Sequence, residues 1–548
     1  MIKITLGDKS FSLDKKTAIK DLIPIEKQKE YFVAKVNNRL RELTYELSFD
    51  SNVELLDNCN SDSVKVYETS LRYLITMAFY NLYPDYQIRI SYNISRSLLV
   101  SILTPNHVIV DSKMINSLKE EMKRLVDLDI PFVRKTISKE EAHQHYIKHN
   151  QLDKDSILKY RPEKNCHVYV CGDYENYMYG YMVPSTGYLK DYKLFSYDNQ
   201  LVIQYPRYEA NGKIPEFKDE PTFSKELKKS HKWAKICNAE IVSKMNDHVS
   251  EETYVDFINM CETHHNDMLA KLGEKIVEDI DNIRLICIAG PSSSGKTTFS
   301  NRLRIELMSK GIKPLRISLD MYYKKRNECP LDEFGKPDFE SIYSLDLDLF
   351  NEHMLALING EEVVLPSFSF ETGEITFNEK VKIDSKTPII IEGIHALNDQ
   401  LSYAIPKHQK FKIYIAPQFQ LNIDNHNPIS FTDIRLLRRI VRDQKTRGTS
   451  AEKTLDMWPS VRRGEFKWIY PYQEGCNFIF NSALTYELCV MKKHALPALM
   501  AIPSDSPYYI TANRLIKFLK YFKEMDETWI PCNSLLREFI GGSCFSDV

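Results

Sequence analysis

Apolar and polar positions alternate with a period of two in residues 2–6 (Ile2-Lys3-Ile4-Thr5-Leu6) and again in residues 31–36. That period predicts half-buried strands, and residues 17–22 between them leave room for one short helix. Residues 1–62 thus read as a small mixed α/β module. The pattern then changes. Residues 70–82 and 114–126 carry helical spacing, while 98–103, 166–170 and 201–205 are apolar runs of strand length. A second, α+β module is expected over 63–225. It closes in residues 206–226, whose Pro, Gly and charged side chains predict an exposed connection. Residues 240–278 contain no Pro and one Gly, so 226–282 reads as a helical connector. Residues 283–289 form a short, mostly apolar run, and 299–308 have helical spacing without a breaker. Residues 315–319 and 388–391 are further strand-like runs within a unit spanning 283–504, with a C-terminal segment, 505–548, after it. No internal repeat stands out.

Composition narrows the class. At roughly 150 residues per domain, 548 residues make three to four domains. Lys+Arg is 73 and Asp+Glu 75, for a net charge of -2. That balance argues against a protein whose main work is coating nucleic acid, and leaves a local basic patch open. With 43% hydrophobic and 27% charged residues, the chain can bury an ordinary core. No apolar run approaches the ~18 residues a membrane span needs. The first residues turn polar at once, and Cys544 sits one place too early for a prenylation box. The 11 cysteines are dispersed, and the closest pair, Cys166 and Cys171, fits neither a zinc knuckle nor a CxxC motif. Reduced thiols, no membrane and a cytoplasmic location are the expectations.

The chemistry concentrates after residue 289. Gly290-Pro291-Ser292-Ser293-Ser294-Gly295-Lys296-Thr297-Thr298 is G-x-x-x-x-G-K-T with a strand before it and a helix after. Backbone wrapped round a phosphate adopts conformations that Cβ atoms resist, hence the glycines. The N–H groups and the helix N-terminus then face the anion. Lys296 is expected on the β- and γ-phosphates and the Thr297 hydroxyl on Mg²⁺. A carboxylate should end a later strand. Glu392, after Pro388-Ile389-Ile390-Ile391, is the candidate for the Mg²⁺ shell; the alternative is a surface Glu ending a strand. No Asn-Lys-x-Asp tetrad for reading guanine is present, so ATP is the expected donor. Asp320 ends the second strand of this unit, where a carboxylate can take the proton of an attacking hydroxyl or serve as a helix N-cap. Arg435, Arg438, Arg439 and Arg442 are three or four apart and share a helix face, either as a cluster closing over phosphates or as a solvated basic face.

The ordered motifs resemble a known family. They are Gly290 to Thr298, Ser318-Leu319-Asp320-Met321-Tyr322-Tyr323, Leu365-Pro366-Ser367-Phe368-Ser369-Phe370, Ile391-Glu392-Gly393 and Arg438-Arg439-Ile440-Val441-Arg442-Asp443. Over about 283–500 they are similar to uridine kinases, within the uridine kinase/phosphoribulokinase family of P-loop kinases. The front half, with Met457 to Glu465 and the closing Asn533-Ser534-Leu535-Leu536-Arg537-Glu538-Phe539-Ile540-Gly541-Gly542, resembles nucleoside kinases that begin like threonyl-tRNA synthetase. In those a TGS domain and the second additional domain come first. The implied fold is α/β: a P-loop kinase with a parallel sheet flanked by helices, preceded by a TGS-like α/β module and an α+β synthetase-like module. The implied roles are Asp320 as base toward a nucleoside 5′-hydroxyl, Arg442 and Arg447 on ATP, and Arg439 facing the acceptor.

The acceptor pocket departs from the family. Where uridine kinases hold the ribose diol with an Asp, this chain has Glu340, one methylene longer. Phe368 stands where pyrimidine readers have Tyr, Gly373 falls near their His, and Thr449 replaces a lid Arg. Phe368 and Phe370 can stack on a ring but cannot hydrogen-bond its edge, so base discrimination should be weak. Tyr323 and the Arg462-Arg463 pair are candidates for other contacts, the pair being read equally as surface. In the synthetase-like half, Thr69, Tyr73, Met178 and Met182 fall where the synthetase has its editing ligands; they are a poor Zn²⁺ set. Among His143, His145 and His149, the i, i+4 pair with Glu140 and Glu141 nearby is a weak metal candidate; adjacent His264 and His265 diverge. The leading expectation is an ATP- and Mg²⁺-dependent nucleoside kinase. A kinase of another hydroxyl compound, such as a sugar phosphate, and a non-catalytic nucleotide-responsive RNA-binding or regulatory protein are the alternatives. RNA binding by the front half and homo-oligomer formation stay open as partner expectations.

Overall fold

The computed structural model describes residues 2–103, 108–369 and 372–546. Near the start of the chain lie β1 (Ile2–Leu6), β2 (Lys9–Leu13), β3 (Tyr31–Val36), β4 (Arg39–Arg41) and β5 (Ser51–Asp57), with the short pair Thr17–Ala18 and Glu46–Leu47 beside them in sequence. Strands β1 to β5 form one sheet in the order β2-β1-β5-β3-β4, with β1 parallel to β5. A short 3-10 turn, Ile19–Leu22, takes the place left for a helix.

Helix α1 (Ser61–Leu82) begins at Asn60, whose side chain accepts the Asp62 and Ser63 N–H groups, and is buried along most of its length. It is followed by β6 (Ile88–Tyr92), β7 (Leu98–Ile102), α2 (Ser112–Asp127), β8 (Val133–Ser138), α3 (Lys139–Lys148), α4 (Leu152–Leu158), β9 (Asn165–Cys171), β10 (Tyr174–Asn176), β11 (Lys193–Tyr197) and β12 (Gln200–Gln204). Two sheets result, β11-β12-β7-β6 and β8-β9-β10. One continuous core joins the first sheet, α1, α2 and the sheet of β6 and β7. Thr69, Tyr73, Met178 and Met182 are all buried in this region. Thr69 Oγ1 donates to Lys65 O and Tyr73 Oη to the Tyr174 carbonyl, so their polar atoms serve the local backbone.

Two expectations about the connection change. Residues 206–226 are not all irregular: α5 (Pro221–Ile236) starts inside them, with Pro221 at its first turn. Residues 240–278 are not one helix but α6 (Val242–Asp247) and α7 (Tyr254–Val277). The break falls at 248–253, where Ser250 Oγ and Thr253 Oγ1 share a hydrogen bond and Thr253 Oγ1 donates to His248 O. Short hydroxyl side chains that bond their own backbone compete with the helix ladder.

The second half is an α/β unit. Its strands are β13 (Leu285–Ala289), β14 (Leu315–Ser318), the hairpin β15 (Val363–Phe368) and β16 (Ile375–Val381), β17 (Ile389–Glu392), β18 (Lys410–Ala416) and β19 (Phe478–Asn481). Its helices are α8 (Lys296–Ser309), α9 (Leu347–Ile358), α10 (Phe431–Thr446), α11 (Ala451–Trp468), α12 (Glu487–Met500), α13 (Tyr509–Leu519) and the short α14 (Arg537–Ile540). The main sheet runs β14-β17-β13-β18-β19 and every pairing in it is parallel. Along β13, Leu285, Cys287 and Ala289 enter one core while Ile286 and Ile288 enter the other. Both faces are buried, which is why the sequence reads as a continuous apolar run rather than an alternation.

The halves meet at residues 422–428, a tight antiparallel hairpin before α10. Lys154 pairs with Asp424 at 3.1 Å, and both are essentially inaccessible to water. Arg89 donates twice to Asn425 Oδ1 at 3.0 Å, Arg72 donates to Asn427 Oδ1 at 3.0 Å, and the Ile90 N–H donates to Asn425 O. Among the described residues no helix is long and apolar enough to cross a membrane.

Candidate active site

The site forms at the C-terminal edge of the parallel sheet, where ligand crevices of such sheets lie. β13 ends at Ala289 and the chain turns through Gly290 to Gly295 into α8. A Cβ on Gly290 would sit 1.9 Å from Ile415 O, so no other residue fits there. Gly295 adopts a φ of +89°, the left-handed region glycine enters without strain. The buried hydroxyls of Ser293, Ser294 and Thr298 have no partner among the described residues. Lys296 Nζ lies back over the loop, donating to Gly290 O at 3.1 Å and Pro291 O at 3.3 Å.

Two arginines of α10 prop this loop from below. Arg435 donates to Ser292 O and Arg438 to Ser293 O, both at 3.3 Å. Both carbonyls are thus bound by α10, and within the loop the Ser294 N–H donates to Pro291 O at 3.2 Å. This corrects the expectation of an open arginine face. Arg435 is locked onto buried Glu465, and Arg438 onto buried Glu487 at 2.7 and 2.6 Å. Their charges are neutralised inside the fold, and the pairs are structural. Arg439, Arg442 and Arg447 instead gather round one buried carboxylate, Asp443, at 3.2, 2.8 and 3.8 Å. Arg439 Nη1 also donates to Ser292 Oγ at 2.9 Å, which puts it on the phosphate loop, and Arg447 stays solvent-exposed.

Glu392 ends β17, in register with Ile288 of β13 and Ser318 of β14. Buried beside Asp320, its carboxyl is pushed up to about 7, with Lys296 and Arg316 opposing the rise. Asp320 stands two residues past β14, in the 3-10 turn Leu319–Tyr322. It is not the N-cap: Ser318 takes that place, its hydroxyl accepting the Asp320 N–H at 3.4 Å. Asp320 is exposed, with its carboxyl close enough to Lys296, Arg447 and Arg442 to feel their charges. Loss of hydration raises its pKa, and Lys296, Arg447 and Arg442 pull it back. The field at Lys296 is the reciprocal one: burial lowers its pKa, and Glu392, Glu538 and Asp320 raise it. Residues up to about 240 positions apart thus act on one ammonium group.

Beyond Asp320 lies a half-aromatic recess. Tyr323 donates its hydroxyl to Phe339 O at 2.9 Å and its ring lies 5.7 Å from that of Phe368. Glu340 packs against α11, where a Cβ on Gly464 would meet the Glu340 side chain at 2.5 Å. Burial pushes its carboxyl up to about 8, opposed by Arg439 and reinforced by Glu465 and Asp338. Phe370 lies outside the described residues. Gly373 lies beside the Arg326 side chain. Arg462 and Arg463 part company: Arg462 binds Glu465 and Tyr470 in the interior, and Arg463 faces Asp332 and Glu333. Outside this site, His143 pairs with Asp155 and His145 with Glu175, so the histidine group is divided between carboxylates. A separate cavity of about 680 Å³ lies in the front half, lined by Lys20, Arg41, Glu42, Tyr45, Arg134 and Tyr181 among others. It mixes both charges and lies away from the phosphate loop.

The sequence reading gave no role to Asp443, Glu465, Glu487 or Glu538. Asp443 is four residues from both Arg439 and Arg447, a spacing that signals an ion pair on a helix. Glu465 is three residues from Arg462 on α11, but its pairing with Arg435, like those of Glu487 and Glu538, joins remote segments and carries no local signal.

A phosphate loop feeding the first helix of a parallel sheet, with a strand-end carboxylate beside its lysine, defines a P-loop phosphotransferase architecture. The profile of the Phosphoribulokinase / Uridine kinase family matches residues 285–488. A uridine kinase of Staphylococcus haemolyticus (strain JCSC1435) is 31% identical over 180 residues, 33% of this chain and 78% of that relative. Uridine kinases of Bacillus pumilus (strain SAFR-032) and Anoxybacillus flavithermus (strain DSM 21510 / WK1) are 31% and 30% identical over 179 residues, each 33% of this chain and 76% of theirs. The chain belongs to the phosphoribulokinase/uridine kinase family. These matches lie in the second half, and the TGS-like and synthetase-like expectations for the first half gain no support from them.

Proposed function

We propose that the chain is an ATP- and Mg²⁺-dependent kinase that transfers the γ-phosphoryl group to the 5′-hydroxyl of a nucleoside. The reading rests on one observation: Lys296, Asp320 and Glu392 share one local field at one sheet edge, beside a loop whose three buried hydroxyls have no partner among the described residues. Such hydroxyls at a helix N-terminus suit a triphosphate. The Thr297 hydroxyl and the Glu392 carboxylate are hard oxygen ligands and fit Mg²⁺. When bound, the ion would neutralise charge on the phosphate oxygens.

In the proposed reaction the acceptor hydroxyl oxygen bonds to the γ-phosphorus, the bond to the β–γ bridging oxygen breaks, and ADP leaves. Asp320 takes the hydroxyl proton, and its raised pKa makes it a better base than an ordinary carboxylate. Lys296, Arg442 and Arg447 stabilise charge on the transferring group. Glu340 and Arg439 hold the acceptor, with Tyr323 and Phe368 beside its ring; Phe370 is assigned with them on sequence alone.

The test is product formation by the full chain from γ-labelled ATP with a panel of nucleosides and sugar phosphates. Labelled nucleoside 5′-monophosphate is the expected product. Label only in a sugar bisphosphate would favour the second reading, which the Glu340 and Phe368 replacements motivate. ATP binding with no labelled acceptor at all would overturn both kinase readings.

A further inference from the structure

The segment that carries α14 lies on the phosphate loop. Glu538, on α14, is 7% exposed, and its Oε2 accepts the Thr298 N–H at 3.1 Å. Thr298 is the third residue of α8, so this N–H is one of the helix-start donors without an intrahelical partner. Those donors, with the loop, are what a G-x-x-x-x-G-K-T motif offers to the α- and β-phosphates. Leu535 seats on the same loop: a Cβ on Gly295 would lie 2.7 Å from Leu535 Cδ2. Beside the carboxylate, the Thr298, Ser293 and Ser294 hydroxyls are buried and have no partner among the described residues.

The electrostatics point the same way. Glu538 raises the pKa of both Lys296 and Glu392, so it shares their local field. Three carboxyl groups, Glu392, Glu538 and Asp320, act on Lys296, with Arg442 acting the other way. A polyphosphate brought beside Glu538 in a poorly hydrated cleft meets direct repulsion and finds one amide already taken. The rest of the segment is held independently of that contact. Lys445 Nζ donates to Ile540 O at 2.6 Å, Arg537 donates to Glu527 O and Ile530 O, Ser534 Oγ donates to Glu262, and Arg438 lies over the Phe539 ring.

We infer that the segment around Glu538 is a built-in competitor for the nucleotide: its carboxylate holds the Thr298 amide, and ATP binds only as that contact is released. The inference rests on the proposed nucleotide reading of the loop and adds its regulation. Because Lys445, at the end of α10, grips the same segment, release of Glu538 would be felt at the arginine helix.

Leu535, Leu536, Phe539 and Ile540 are fully buried, so deleting the segment would damage the fold. Single changes, Glu538→Gln and Glu538→Ala in the full chain, avoid this. With the charged competitor for the Thr298 amide removed, Mg·ATP should bind Glu538→Ala about tenfold or more tightly by calorimetry. Glu538→Gln keeps an acceptor but loses the charge and should lie between. In the wild-type chain, saturating Mg·ATP should speed amide exchange in residues 533–541. If wild type binds ATP and both variants bind no better, or if ATP protects 533–541, the competitor role falls while the nucleotide reading stands. If neither wild type nor variants bind ATP, both fall. Binding by the variants alone supports both.

Discussion

Glu340 ties the proposed acceptor pocket to pH. Its carboxyl, ordinarily near 4.5, is pushed up to about 8 by burial, with Glu465 and Asp338 adding to the rise and Arg439 resisting it. The ionised form accepts both hydroxyl hydrogens of a diol in charge-assisted bonds, roughly twice as strong as neutral ones. At about pH 7 roughly one molecule in eleven carries that carboxylate, and at about pH 9 roughly ten in eleven do. Apparent affinity scales with the competent fraction, so the acceptor KM should fall about tenfold across this interval. The assay is a steady-state profile with acceptor and ATP varied separately, so that changes at Asp320 appear in kcat instead. Glu340→Gln should raise the acceptor KM and flatten its pH dependence while leaving the ATP KM unchanged. A wild-type acceptor KM that is flat over the interval, or an equally steep profile in Glu340→Gln, would refute the assignment.

Asp320→Asn should fold and bind ATP as wild type does, yet lose about 10²–10⁴-fold in kcat, the range of a positioned general base. Glu392 has a folded pKa of about 7 against an ordinary 4.5, so its protonated form is favoured in the fold. Its contribution to stability is highest below the ordinary value and declines as pH rises toward the folded one. Glu392→Gln should therefore melt higher than wild type at mildly alkaline pH while losing Mg²⁺-dependent turnover. Arg438→Ala leaves Glu487 buried and unpaired and should cost about 3–5 kcal/mol in urea denaturation. Arg442→Ala, half-buried beside Asp443, should melt close to wild type and lose turnover instead.

The sequence made the second half legible because its signals are local. The glycines and lysine of the loop sit in one stretch, and β13 and β17 are too apolar to be anything but buried strands. Asp320 and Glu392 fall at the sheet edge because a strand's end fixes where its next residues go. The arginines are legible only in part, for a complementary reason. Helical spacing puts Arg435, Arg438, Arg439 and Arg442 on neighbouring positions but says nothing about what faces them. Glu465 and Glu487, 30 and 49 residues later, decide that two of the four are interior. The break before α7 was missed because no Pro or Gly marks it, only Ser250 and Thr253. Glu538 was out of reach for another reason: a carboxylate 240 residues from its partner amide leaves no trace in spacing.

The hairpin at 422–428 gives the front half a mechanical part in the arginine helix. Two residues separate its end from Phe431, where α10 starts, and Arg72, Arg89 and Lys154 hold it from outside the family-matched region. The base of the lever that carries Arg439 and Arg442 is therefore clamped by the other half of the molecule. The 180 aligned residues are 78% of the Staphylococcus relative, whose whole chain is thus less than half as long as this one. Cutting this protein down to that length would strip the fulcrum from its lever.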